Sequence, residues 1–123
     1  MPLNTRQPKL TWFLSDYQEE ILRWSNYNWG KPPKYDSFTA SVGIGEEAGE
    51  VLRAVLKRKQ MIRGTYEEWT AELRKELADV LIKVIEVAAL EDMNIEVLLQ
   101  ERWDEIRQRD FKANALGHGI EKG

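Results

Sequence analysis

Phe13, Leu14, Tyr17, Ile21 and Trp24 recur at three- and four-residue steps, the spacing that lines up side chains on one helix face. This predicts a helix over about Thr11 to Tyr27. It must stop before Asn28-Trp29-Gly30-Lys31-Pro32-Pro33, where a glycine and two prolines break any helix. A second helix is predicted from about Ser37, read as its N-cap, to about Lys59. Gly43, Gly45 and Gly49 inside it each cost about 1 kcal/mol relative to alanine, so each asks for a reason. A third helix begins near Thr65, whose hydroxyl and Glu68 form a capping-box pattern. Its apolar residues, Leu73 through Ala88, fall on more than one face, as in a central helix covered on two sides. A fourth follows Asn94, with Ile95, Leu98, Leu99, Trp103 and Ile106 in one stripe up to about Arg109. Residues 1–10 read as an N-terminal extension, 11–111 as one domain, and 112–123 as a polar tail. The fold class is all-α, a four-helix bundle.

Composition narrows the chemistry. The chain has 123 residues, enough for one core. Cysteine is absent, which excludes disulfides, thiol catalysis and thiolate metal sites. The single histidine, His118, stands between two glycines in the tail, so a Ser-His-Asp triad or a histidine-rich zinc site has little to build on. The formal net charge of −3 argues against a nucleic-acid-binding surface. No apolar run approaches the roughly 18 residues of a membrane span, and Met1 to Arg6 lacks the apolar stretch of a signal peptide. A cytoplasmic protein without membrane partners is expected. Catalysis would fall to carboxylates, cations, hydroxyls and aromatics.

Residues three or four apart share a helix face. Glu47 and Glu50 project together from the second helix, Glu76 and Asp79 from the third. Antiparallel packing would set the two pairs across a gap, where their repulsion calls for a hard divalent cation. The same spacing occurs at Asp16/Glu19 and Glu101/Asp104, so spacing alone leaves surface acids as an equal reading. Context separates them. Val51, Leu52, Val55 and Leu56 follow one pair, and Leu77, Val80 and Leu81 surround the other, whereas Glu101 and Asp104 lie among Arg102, Arg107 and Arg109. Gly43 to Ala48 also matches G-x-G-x-x-A, but no strand precedes it and two glutamates would face a pyrophosphate.

Gly45-Glu46-Glu47-Ala48-Gly49-Glu50-Val51, followed 25 residues after Glu50 by Glu76-Leu77-Ala78-Asp79, resembles the signature of the MazG-like all-α NTP pyrophosphohydrolases. The stretch Trp103 to Phe111 is similar to the basic-aromatic end of that family's last helix. The resemblance spans roughly Thr11 to Phe111. It implies cleavage of an NTP or dNTP between the α and β phosphates to a monophosphate and pyrophosphate, as in nucleotide pool cleansing. It implies Mg²⁺, with Mn²⁺ as a substitute, on Glu47, Glu50, Glu76 and Asp79, and makes Glu46, with Glu47, a candidate for orienting or deprotonating the attacking water.

Phosphate contacts are expected from Lys83, four residues after Asp79, from Lys57, and from Arg107 and Arg109 on the last helix. Trp29 resembles an aromatic that stacks on the base, with Asn28 beside it. Trp12, Trp24, Trp69 and Trp103 are expected in the core or at an interface. The deoxycytidine-specific branch carries an aromatic where Lys83 stands, so the base is left open. A homodimer or dimer of dimers is expected. Two other readings of the acids stand: a di-iron or di-manganese carboxylate bundle, and a non-catalytic helical oligomer or adaptor.

Overall fold

The computed structural model describes residues 5–113. Among them it forms four helices and no strand: α1 (Leu14–Trp29), α2 (Ser37–Gln60), α3 (Tyr66–Leu90) and α4 (Ile95–Ile106). None is long and apolar enough to cross a membrane.

Local chemistry sets the ends. α1 starts at Leu14 rather than Thr11 because the Asp16 carboxylate accepts the Phe13 N–H at 2.9 Å, satisfying a donor that the helix leaves orphaned. It ends at Gly30, whose φ of 93° suits a residue without Cβ. Asp36, not Ser37, caps α2: its carboxylate accepts the Thr39 N–H at 3.1 Å, and a full charge at a helix N-terminus adds to the cap. Ser37 is then free to bond Glu91. The capping box of α3 is present in both directions, Glu68 N–H to Thr65 Oγ1 at 3.1 Å and Thr65 N–H to Glu68 Oε1 at 3.2 Å. Asn94 caps α4 through the N–H groups of Glu96 and Val97. α4 stops at Ile106, short of Arg109, as the backbone tightens into bonds from Gln108 to Glu105 and from Arg109 to Ile106.

α2 and α3 form an antiparallel hairpin. Ser37 meets Glu91, Gly43 lies under Lys83, and Arg58 reaches Thr70. In the turn between them Gly64 has φ 159°, and a Cβ there would lie 2.9 Å from Trp69 Nε1. α3 is central as its two-sided pattern predicts: α2 packs on it alone, while α1 and α4 pack on it and on each other. Gln18 stitches α1 to the start of α4, donating to the Met93 carbonyl at 2.7 Å and accepting the Ile95 N–H at 2.9 Å. Ile85, Ala88 and Ile95 are buried at this junction, with Leu14, Ile21 and Val84 packed against them.

The outer face of the hairpin is different. Leu52 is 69% exposed and Leu77 53%, and a Cβ on Gly45 or Gly49 would meet nothing. The tryptophans also depart from expectation. Trp69 is buried and donates to the Ile62 carbonyl, but Trp24 is exposed and borders a cavity together with Trp12, and Trp103 is exposed. α1 faces α3 but not α2, and Tyr17, Ile21 and Trp24 of its apolar stripe border the cavity.

Candidate functional site

The hairpin register brings Glu47 of α2 opposite Glu76 and Asp79 of α3. Each offers a carboxylate oxygen within 4.8 Å of the others. Glu76 is only 5% exposed. Burial, then hydrogen bonds to Glu72 and Glu47, then the charges of Asp79 and Glu47, push its pKa up to about 7. A hydrogen bond between two carboxyl groups needs a proton on one of them, so this group keeps a proton that ordinary carboxyls have lost by neutral pH. An all-oxygen donor set, half-shielded and short of positive charge, fits a hard divalent cation such as Mg²⁺.

Glu50 stands apart from the three. Its carboxylate is half-exposed and 3.9 Å from Arg53, one turn along α2 from Glu47. Glu46 is exposed and borders a cavity beside Glu47. Glu72 joins the group through Glu76 although the sequence reading passed over it. The signal was there, since Glu72 and Glu76 share a face at four-residue spacing.

Two cavities flank the acids, and both reach Glu47 and Lys83. The larger, about 470 Å³, lies between α3 and the α1 side, with Trp12, Tyr17 and Trp24 in its wall. The smaller, about 400 Å³, is bordered by Trp29, Tyr35, Phe38 and Glu46. Between them stands Lys83, whose Nζ lies 3.2 Å from Glu86 Oε1 and 3.4 Å from the Tyr35 hydroxyl. That hydroxyl donates to the same Glu86 oxygen at 2.8 Å. Burial works against the Lys83 charge, but Glu86 and Tyr35 together outweigh it and hold the ammonium pKa above its ordinary value. Burial and then Glu86 push the Tyr35 pKa up.

Gly43 now has its reason. A Cβ there would lie 3.0 Å from both Cδ and Cε of Lys83, so the missing side chain lets the lysine cross α2. Lys83 thus bonds Glu86, farther along α3, rather than pairing back toward Glu76 and Asp79. Glu86 and Tyr35 were not anticipated. The three-residue step from Lys83 to Glu86 was legible, but Tyr35 is brought in by the loop before α2.

The other expected contacts are scattered. Trp29 stacks edge-on against Trp24 at 6.0 Å and tilts against Tyr35 at 6.2 Å, within the smaller cavity. Asn28 donates to the Trp24 carbonyl at 3.0 Å. Arg107 bonds Asp104 through Nε at 2.9 Å, and Lys57, Arg107 and Arg109 border neither cavity. His118 lies outside the described residues. The cation that sequence reasoning missed is Arg6. Its backbone N–H and its Nε both donate to the buried Glu20, at 3.1 and 2.7 Å, and its guanidinium sits 4.7 Å from the Trp12 ring. The hydrogen bond from Arg6 lowers the Glu20 pKa despite burial.

No curated protein and no solved structure matches this chain. The sequence model of the MazG nucleotide pyrophosphohydrolase domain matches residues 39–112, which takes in Glu47, Glu50, Glu76 and Asp79 and more than half of the chain. This protein belongs to the MazG nucleotide pyrophosphohydrolase family.

Proposed function

We propose that this chain hydrolyses a nucleoside or deoxynucleoside triphosphate between the α and β phosphates, with Mg²⁺ as cofactor and Mn²⁺ able to replace it. The observation that carries this reading is the Glu47–Glu76–Asp79 group, three carboxylates drawn within 4.8 Å, none of them in an ion pair with a lysine or arginine among the described residues. Glu47, Glu76 and Asp79 would hold the ion, and Glu76 would lose its proton on binding it. Glu50 would be the fourth ligand if its side chain left Arg53. Bound there, the metal supplies neutralisation of phosphate charge and a more acidic water. Glu46, at the rim beside Glu47, would orient the attacking water or take its proton. Lys83, held charged by Glu86 and bordering both cavities, adds positive charge where the phosphates enter.

The chain is proposed to work as a homodimer or a dimer of dimers. The exposed row of Gly45, Gly49, Leu52 and Leu56 on α2, beside Leu77 and Leu81 on α3, is the face a second copy would cover, since contiguous apolar patches mark interfaces. Light scattering at a mass near the single chain's 14.4 kDa would sink this assembly.

The reaction is tested by incubating the purified protein with Mg²⁺ and a panel of triphosphates, and resolving the products by ion exchange. Monophosphate and pyrophosphate in equal amounts, lost on chelation and in Glu50→Gln, are expected. Diphosphate and orthophosphate as products would refute the cleavage site. A parent that cleaves nothing, and whose Mg²⁺ binding matches that of Glu50→Gln, would refute the enzyme.

A further inference from the structure

Glu86 is 1% exposed, yet only one of its oxygens is used. Oε1 accepts from both Tyr35 and Lys83, and Oε2 accepts from none of the described residues. That second oxygen is not shut away from the surface, so it is open to a donor from a ligand. Glu86 borders the larger cavity, which is walled by the rings of Trp12, Tyr17 and Trp24 and extends to Glu47 and Asp79. Asp79 and Glu86 are two turns apart on one face of α3, roughly 10.5 Å by the helical rise. A ligand with an anionic end at the acids' metal and a flat ring at Glu86 spans that distance.

We propose that this cavity takes the nucleobase, and that Glu86 Oε2 with Lys83 Nζ selects guanine. The proposal rests on the reading that the triphosphate sits at the Glu47–Glu76–Asp79 group. It moves the base away from Trp29, which borders the other cavity, and it takes Lys83 from the phosphates to the base. An ionised carboxylate only accepts hydrogen bonds, and an ammonium only donates them, with three N–H groups. Glu86 and Tyr35 occupy two of those three, which leaves one for a carbonyl oxygen.

The required base therefore presents donors to Glu86 with a carbonyl next to them. Guanine carries an exocyclic amino group, a ring N–H and a carbonyl in sequence along its edge. Adenine and cytosine set a ring-nitrogen lone pair beside the amino group, and uracil and thymine flank the ring N–H with carbonyls on both sides. A lone pair pressed against the carboxylate is repelled.

Pyrophosphate release from GTP, ITP and ATP is compared in the parent and in Glu86→Gln, which keeps an acceptor for Tyr35 and replaces the free oxygen by a donor. The parent is expected to prefer GTP over ITP by about 10-fold in kcat/KM, and over ATP by about 100-fold, as sites built on hydrogen bonds discriminate. Glu86→Gln should lose most on GTP, so that the GTP/ATP ratio falls toward one. Equal rates on GTP and ATP in the parent, or one uniform loss on all three in the variant, would overturn the proposal; the uniform loss would leave Glu86 as the holder of Lys83 only.

A parent that cleaves no triphosphate removes the pyrophosphohydrolase reading instead. The cavity is then decided by tryptophan fluorescence of the parent protein, and the same measurement decides it if Glu86→Gln does not fold. Quenching by GMP and not by AMP sustains guanine selection, and equal quenching by both, or none by either, overturns it.

Discussion

Two buried glutamates ten residues apart on α3 have opposite surroundings. Glu76 is surrounded by acids: Glu72 and Glu47 share hydrogen bonds with it, and Asp79 adds charge. Glu86 accepts from Lys83 at 3.2 Å and from Tyr35 at 2.8 Å. Glu20 on α1 resembles Glu86 in this respect, with Arg6 as its partner. A protein can bury a carboxylate when a cation comes with it. It has done so twice within one cavity wall, and at Glu76 no cation of the described residues plays that part. The difference is what supports the proposed metal site at Glu76.

Removing carboxylates tests this contrast most strongly. Glu76→Gln and Asp79→Asn are each expected to lower the Mg²⁺-dependent rate at least about 100-fold, the scale of deleting one preorganised charge-stabilising contact. Neither should lower the melting temperature of the metal-free protein, because repulsion is removed. A variant that melts well below the parent would mean that the acids are structural. Lys83→Met does the reverse at the other site. It strands Glu86 with Tyr35 alone and should cost about 2 kcal/mol by urea unfolding, the range for an incompletely satisfied buried acid. An unchanged midpoint would show that the pair contributes nothing net.

Smaller effects follow from pH. The folded Glu76 pKa lies above its unfolded value, so the native state binds the extra proton between about pH 4.5 and 7. Metal-free stability should therefore fall as pH rises through that window, and the slope should flatten in Glu76→Gln. Mg²⁺ should restore more stability at pH 8 than at pH 5.5, since it competes with the proton. Glu20 carries the opposite sign: Arg6 lowers its pKa, so its contribution is present above its unfolded pKa and is lost as acid titrates it. Arg6→Ala should remove that acid-side loss and leave the neutral slope intact. Parallel melting curves for parent and Glu76→Gln across pH 5 to 8 would deny the shared proton. The smallest effect belongs to Arg102→Ala. Arg102 pairs with Glu105 at 2.7 Å, but both are well exposed, and less than about 0.5 kcal/mol is expected from urea unfolding.

Much of this arrangement was legible in the sequence because it is local. The helices, the Thr65–Glu68 box and the Asn94 stop follow from spacing and caps that need no partner. The acidic motifs were visible because they repeat the helical step within one element. Arg6 with Glu20 and Tyr35 with Glu86 were not visible, since 14 and 51 residues separate the partners and only packing brings them together. Trp12 and Trp24 misled for a related reason. Periodicity tells which face of α1 is apolar, but not whether that face meets side chains or a cavity. Glu50 shows the limit from the other direction: it shares a face with Glu47, yet its side chain turns to Arg53.

Asp79, Lys83 and Glu86 all stand on α3, an uninterrupted helix from Tyr66 to Leu90. On the proposed reading, the distance between phosphate chemistry and base recognition is fixed by the pitch of one rigid rod, with no loop to adjust it. One residue inserted between Asp79 and Lys83 would swing everything beyond it by about 100° around the helix axis, carrying Glu86 out of the cavity while leaving Glu76 and Asp79 in place. Evolution of a new base preference in this scaffold is thereby channelled into exchanging side chains at fixed stations along the rod, because changing its length would uncouple the two ends of the substrate at once.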